Sequence, residues 1–417
     1  MKTISLQPLT RVEGHGRVEM TVQAGRLAAV RLVITESPRL FEGLLIGRSW
    51  QEVPALVSRI CAICSGVHRV AAASALESAL GLDIPPVARR VRELLLLGGH
   101  IESHALHLFC LTLPDLAGTE SILELLRSGD GRAREGLALK ALGNHIQELA
   151  GGRVIHPVNV EVGGVVRLPV REKLEALLAE LEEWSGRLPP LVEVFADRRG
   201  YPSATAALGT RIAVDCDDFL LTGRSLRFSD GRVIAGERYR EVLEERPVPW
   251  SNTKHSRTAG APLLAGALAR LENAAGRASA PVLPELSASG IHGNNLAQGL
   301  ELLWALREVR HLVRELLAGD VDAAVMAAVR PGAGVGTCVI EAPRGLLIHH
   351  YALDDQGRVA AADILTPTAI NQAAIEAQLL ADLQGVTDET TLTDRAGRIV
   401  RAYDPCISCS VHVLKGR

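Results

Sequence analysis

Arg59-Ile60-Cys61-Ala62-Ile63-Cys64-Ser65-Gly66-Val67-His68, near the front of the chain, and Asp404-Pro405-Cys406-Ile407-Ser408-Cys409-Ser410-Val411-His412, at its end, decide how everything between them is read. Each stretch holds a C-x-x-C pair followed by a histidine. Two thiolates at that spacing grip one metal ion, and two such pairs brought together supply four sulfur ligands. From spacing alone, zinc is the default ion. Structural zinc knuckles, however, close small local folds, whereas these pairs stand near opposite ends of 417 residues. Joining them means folding both ends of the chain into one interior, which points to a central active site.

The chain between the pairs is able to build that interior. Apolar residues make up 47%, charged residues 22%, and 45 basic against 48 acidic side chains leave a formal net charge of −3. These values exclude a disordered chain, a nucleic-acid binder steered by bulk positive charge and a low-complexity polymer. Aromatics are only 3%, so Leu, Val, Ile and Ala must fill the core, a composition suited to helices packed on helices. The seven cysteines are an odd number without a secretion signal, which argues against a disulfide framework. Cys110, Cys216 and Cys338 have no C-x-x-C partner and read as core residues.

A two-residue period over Arg17–Thr35, broken at Ala24-Gly25, predicts an antiparallel hairpin. Helical periods follow over Ser49–Val57, His68–Leu80, Val87–Leu111, Glu135–Leu149, Arg171–Ala196, Thr258–Ala275 and Asn295–Leu317. Strand character returns in Val335–Ile340 and Leu346–Leu353, with a turn at Asp354–Gly357. No repeat or long linker divides the chain, so residues 1–412 read as one unit and 413–417 as a short tail. No apolar run approaches the roughly 20 uncharged residues of a membrane span, and the N-terminus lacks the apolar stretch of a signal peptide. The expectation is a cytoplasmic protein without a membrane span, although a co-exported partner could carry it elsewhere.

Read as R-x-C-x-x-C-x-x-x-H and D-P-C-x-x-C-x-x-H, together with Arg11-Val12-Glu13-Gly14-His15, the motifs resemble the large subunit of a nickel-iron hydrogenase, in the family's order and over essentially the whole chain. The resemblance implies a predominantly helical α/β fold with a central long-helix bundle and peripheral antiparallel β-hairpins. It implies that Cys61 and Cys406 are terminal on nickel, while Cys64 and Cys409 also bridge to an iron carrying carbon monoxide and cyanide. Soft thiolates suit such a redox-active late metal.

Splitting hydrogen heterolytically needs a base for the proton. By resemblance Glu13 is the proton gate, Arg344 overhangs the metals, and Asp404 and Asp115 complete a polar canopy near Arg344. Pro367 and Thr368 match the segment around the iron's diatomic ligands, with the Thr368 hydroxyl as a cyanide donor. His68 is expected to donate to a bridging thiolate, Cys409 in particular. A buried magnesium would take Glu42, the carbonyl of Ile364 and His412. Two positions depart from the common pattern: Ala62 replaces a frequent Gly, and Cys110 stands where many relatives carry a histidine or an aromatic residue. His100, His104 and His107 share a helical face and read as packed core histidines.

With four cysteines committed and three scattered, no set remains for iron-sulfur clusters, and no G-x-G-x-x-G opens a nucleotide-binding unit. The resemblance therefore implies an obligate small subunit carrying iron-sulfur clusters. It further implies diaphorase-type flavin and iron-sulfur subunits leading to NAD(P) or another soluble carrier, with nickel chaperones and a maturation protease acting on the tail. Three other readings stay open: a hydrogen sensor on the same fold, a respiratory subunit that has lost the metals, and a zinc-stabilised scaffold.

Overall fold

The alternation that predicts a hairpin after Arg17 forms one in the computed structural model, which describes residues 1–37, 40–216, 221–275, 290–320 and 322–411. Strands β2 (Gly16–Gln23) and β3 (Arg26–Ile34) turn at Ala24-Gly25, both at positive φ, and bury Val18, Met20, Leu32 and Ile34 on one face. A strand that the sequence pattern does not reveal, β1 (Lys2–Leu6), pairs with β2 to give the order β1-β2-β3.

Helices follow: α1 (Phe41–Leu45), α2 (Val53–Val57) and α3 (Ser65–Ala79). The helix expected over Ser49–Val57 is thus shorter at its front. Ser49 bridges to Arg358, and the Trp50 N–H donates to the Gly357 carbonyl, so this backbone is drawn to a distant turn instead. The long apolar period becomes α4 (Pro86–Ala105), a π-helical stretch at Leu106–Thr112, and α5 (Leu113–Ala117). Pro114 has no N–H to return to the helix ladder, which accounts for the loosened turn before it. By length and composition the run Pro86–Ala117 would cross a membrane, but 89% of its most apolar window is buried inside the protein, as in a core helix.

The short α6 (Ile122–Arg127) leads to α7 (Gly131–Gly151), which packs along α4, and two-residue strands β4 (Val160–Glu161) and β5 (Gly164–Val165) precede α8 (Arg171–Glu193). Leu174, Leu177, Leu181, Trp184 and Leu188 form the buried stripe of α8.

Strands then dominate: β6 (Thr210–Asp215), β7 (Thr222–Gly223), β8 (Ser225–Phe228), β9 (Val233–Ala235), β10 (Glu244–Pro247), β11 (Lys254–Thr258) and β12 (Ala261–Leu264). All but β7 make a sheet of order β10-β11-β12-β6-β8-β9. The helix expected over Thr258–Ala275 is therefore corrected to two strands and α9 (Ala267–Ala274). Gly260 and Gly266 adopt positive φ, at 78° and 125°, and Pro262 lies between them, so a continuous helix cannot form.

Helix α10 (Gly293–Ala318) crosses α4 and α8, and strands β13 (Gly334–Ala342), β14 (Gly345–Leu353) and β15 (Val359–Leu365) join β7 in the order β15-β14-β13-β7. Helices α11 (Pro367–Asp382), α12 (Glu389–Ala402) and α13 (Ile407–Ser410) complete the described chain. One continuous hydrophobic core runs from the N-terminal hairpin through the helices to Val411, and a smaller one lies beneath the longer sheet, around Ile212, Phe228 and Ile348.

Candidate metal centre

Cys64 stands at the N-terminal cap of α3 and Cys406 at that of α13, so each C-x-x-C pair spans the entry to a helix. Folding the ends together puts the sulfurs of Cys61, Cys64, Cys406 and Cys409 within 4.8 Å of one another. Sγ of Cys406 lies 3.4 Å from that of Cys61 and 2.8 Å from that of Cys409. All four residues are at most 4% exposed. Hydrogen bonds from Cys406, Cys409 and Cys64 hold the Cys61 thiol well below the ordinary range, whereas burial pushes Cys406 and Cys409 well above it. One sulfur of the set takes negative charge readily, and further ionisation calls for a cation. Ala62 is exposed and does not use a left-handed backbone, so losing the frequent Gly costs nothing there.

Arg344, in the turn between β13 and β14, lies over this cluster. Its Nη1 donates to Cys64 Sγ at 3.6 Å and its Nε to Asp404 Oδ1 at 3.0 Å, while its Nη2 is buried with no partner among the described residues. An orphaned guanidinium nitrogen beside four soft sulfurs fits a bound metal group with acceptor ligands. Asp404 is 2% exposed, with φ at 50°, and its other oxygen accepts from Gln298 Nε2 at 3.0 Å. Burial acts to raise the Asp404 carboxyl, but the Arg344 charge, the nearby His107 and hydrogen bonds from Arg344 and Gln298 together outweigh it and leave the group below its ordinary value.

Glu13 is half-buried, in a parallel bridge with Cys406. Its carbonyl accepts the Ile407 N–H at 3.1 Å; its carboxylate accepts the Ser408 N–H at 3.0 Å and the Ser408 hydroxyl. Gly14 lets this happen: at φ 87° it lies so close to α13 that a Cβ would stand 2.6 Å from Ile407 Cβ. Pro367 opens α11, and Thr368 Oγ1 accepts the Cys406 N–H at 2.8 Å, which leaves its hydroxyl hydrogen to donate elsewhere. His68 lies one turn beyond Cys64, its Nδ1 3.0 Å from His349 Nε2, and His349 Nδ1 is 2.6 Å from the Tyr351 hydroxyl.

Glu42 Oε1 accepts the Ile364 N–H at 2.9 Å, so two of the residues expected at a magnesium are neighbours. Burial first, then the nearby Asp363 and Glu245, push the Glu42 carboxyl up to about 7 against the pull of Ile364 and Lys254. A carboxylate so placed favours a cation. His412 and the tail 413–417 lie outside the described residues.

Asp115 is placed differently from the expectation. Its carboxylate accepts from Arg11 at 2.6 Å and from Arg401 at 2.7 and 2.9 Å, rather than from Arg344, and so ties the Glu13 segment to α12. The residue that instead supports the Arg344–Asp404 pair is Gln298. Sequence reasoning points to neither Gln298 nor Ser408 nor His349. For Ser408 the signal is present, inside the second C-x-x-C; for Gln298 on α10 there is none.

The model of the nickel-dependent hydrogenase family matches residues 39–127 and 281–412, and a HoxL-like model matches residues 3–37. The alpha subunit of sulfhydrogenase 2 from Pyrococcus furiosus is 40% identical over 99% of both chains. A vhu subunit of the F420-non-reducing hydrogenase of Methanocaldococcus jannaschii is 31% identical over 90% of this chain and 97% of its own. Among solved structures, an NAD+-reducing [NiFe]-hydrogenase in the H2-reduced state superposes with a TM-score of 0.88 at 28% identity, covering 99% of this chain and 100% of that one.

Proposed function

The chain belongs to the nickel-dependent hydrogenase family, and we propose that it is the catalytic large subunit of a nickel-iron enzyme that delivers electrons from hydrogen through an iron-sulfur small subunit to NAD(P) or another soluble carrier. The observation that carries this reading is the meeting of four buried cysteine sulfurs from opposite ends of the chain within 4.8 Å. The NAD+-reducing character of the structural relative supports the choice of acceptor, and with it a cytoplasmic location and diaphorase-type partner subunits.

Cys61 and Cys406 would hold nickel, and Cys64 and Cys409 would bridge it to an iron bearing carbon monoxide and cyanide. That centre supplies a Lewis-acidic, redox-active site for the conversion of H2 into two protons and two electrons. The chain's own residues do the rest. A terminal thiolate, Cys406, takes the first proton, and Glu13, bridged to Cys406 through the backbone, relays it outward. Arg344, fixed by Asp404, has its Nη2 free to donate to the iron's diatomic ligands, and the Thr368 hydroxyl would donate to a cyanide. His68, held from behind by His349, would donate to Cys409 through its second nitrogen. Glu42, the Ile364 carbonyl and His412 would hold magnesium, and residues 413–417 would be the peptide released by a maturation protease after nickel chaperones have loaded the site.

Elemental analysis and infrared spectroscopy of the protein purified with its natural partners test this. Nickel, iron and bands of carbon monoxide and cyanide are the expected result. Zinc in fully matured material would overturn it in favour of a scaffold.

A further inference from the structure

Not every buried histidine on α4 and its π-helical extension has the same proton count. His100 is pushed down to about 3, first by burial, and His104, also lowered mainly by burial, turns Nε2 to Glu301 at 2.8 Å, an acceptor already held by Arg270. One turn further on the arrangement changes. His107 Nδ1 lies 2.6 Å from Gln298 Oε1, and its Nε2 lies 2.7 Å from the Arg401 carbonyl oxygen. A neutral imidazole has one N–H and one acceptor nitrogen, so it cannot donate to both oxygens.

Turning the Gln298 amide does not relieve the conflict. Its oxygen would then face Asp404 Oδ2, to which Nε2 now donates at 3.0 Å. Thr112 Oγ1, 3.3 Å from His107 Nε2, can donate only to a bare nitrogen, and the Arg401 carbonyl would then face that same bare nitrogen. The chain His107–Gln298–Asp404 therefore holds one proton more than a neutral imidazole and a carboxylate supply. Asp404 faces the Arg344 guanidinium at 3.0 Å, so the imidazole is the place for it. The charged groups on the packed elements balance it. Glu301 with Arg270 and His104 lies on the α10 side, Asp115 with Arg401 on the α12 side, and the Arg344–Asp404 pair lies ahead. The Cys110 thiol, three residues on, is kept neutral because burial pushes it up to about 11.

We propose that His107 is an imidazolium locked between two acceptors and that, through Gln298, it is a positioning residue for the Asp404–Arg344 pair over the four sulfurs. The positioning role rests on the hydrogenase reading; the protonation state does not. With the Nε2–H on the Arg401 carbonyl, the Nδ1–H holds the Gln298 oxygen, so the Gln298 amide N–H is always aimed at Asp404. Arg344 is thereby held with Nε on Asp404 and Nη2 turned to the metal ligands.

Neutron diffraction from the deuterated, assembled complex decides the first half. Deuterium on both His107 nitrogens and none on Asp404 is expected; deuterium on one nitrogen only overturns the proposal. The second half is read from Gln298→Met, which keeps the length of the side chain without its hydrogen bonds. With metal content unchanged, H2/D+ exchange should fall about tenfold or more, the scale of one lost charge-assisted bond, and its pH profile should shift. Exchange within twofold of the parent would refute the positioning role. A parent complex lacking hydrogen activity would refute the hydrogenase reading while leaving the neutron result standing.

Discussion

Glu13→Gln separates what this side chain holds in place from what it does. The carboxylate accepts two hydrogen bonds from Ser408, one from the N–H at 3.0 Å and one from the hydroxyl. Glutamine has the same shape, and its oxygen can keep the N–H while its NH2 donates to the Ser408 oxygen, which rotates to accept. Only the charge assistance is lost, about 1 kcal/mol. The Glu13–Cys406 bridge is made by backbone and survives. The substitution therefore should leave metal content intact and thermal stability nearly so. Proton transfer is another matter, because an amide has no proton to pass near neutral pH, and a positioned acid or base is worth roughly 10²- to 10⁴-fold. H2/D+ exchange by membrane-inlet mass spectrometry should fall by at least the lower figure. Ser408→Ala, which removes one donor and keeps the carboxylate, should fall far less. Exchange in Glu13→Gln within threefold of the parent, at equal metal loading, would refute the relay through this residue.

Three further outcomes concern the scaffold. Arg270 is 3% exposed and neutralises Glu301 and Glu341, so Arg270→Met strands two buried carboxylates and should cost about 3–5 kcal/mol, read as loss of assembled complex; the triple change with Glu301→Gln and Glu341→Gln should recover part of it. Burial pushes His100 down to about 3 and His292 to about 4, against 6.5 when unfolded. The unfolded chain therefore binds protons that the folded one refuses, and stability present above pH 6.5 is lost as pH falls, by ~2 kcal/mol for each group at pH 5. A denaturation midpoint that stays flat from pH 7 to 5 would contradict this. Finally, a Cβ on Gly143 would stand 2.4 Å from the Glu102 nitrogen of α4, so Gly143→Ala should cost about 3 kcal/mol, whereas Gly131→Ala, with nothing within 4 Å, should be neutral to within about 0.5 kcal/mol in the same melt.

What the sequence makes legible is what local chemistry writes locally. The two cysteine pairs, the Glu13 motif and the Arg344 turn each announce themselves within a few residues, and long amphipathic periods such as those of α8 and α10 survive packing unchanged. The misreadings share one cause, backbone or side-chain partners far away in sequence. Ser49 and Trp50 bond to the turn at Gly357–Arg358, so their helical period is overridden. The segment after Thr258 has helical periodicity, yet Gly260, Pro262 and Gly266 give it to a sheet. Asp115 follows a motif-like stretch that points to Arg344, but two arginines from opposite ends, Arg11 and Arg401, claim it. Gln298 carries no signature at all, since its role exists only once α10 lies between His107 and Asp404.

These long-range ties bear on how the centre assembles. The first cysteine pair is anchored by α3, which packs on α2, α4 and β13 within the main core. The second pair has only the four residues of α13 for local structure, too short to be stable alone. It is held by bonds from elsewhere: Ile407 and Ser408 to Glu13, the Cys406 N–H to Thr368, and the Ser410 carbonyl to Thr253. Each of these anchors belongs to a different part of the chain, so the position of the last two sulfurs depends on the N-terminal motif, α11 and the residue before β11 together. Docking of the second cysteine pair and placement of Glu13 are therefore interdependent, because Ile407 and Ser408 both bond to Glu13. A metal bound by all four sulfurs then draws free energy from every one of those contacts, since metal affinity and docking of the chain end are one linked equilibrium.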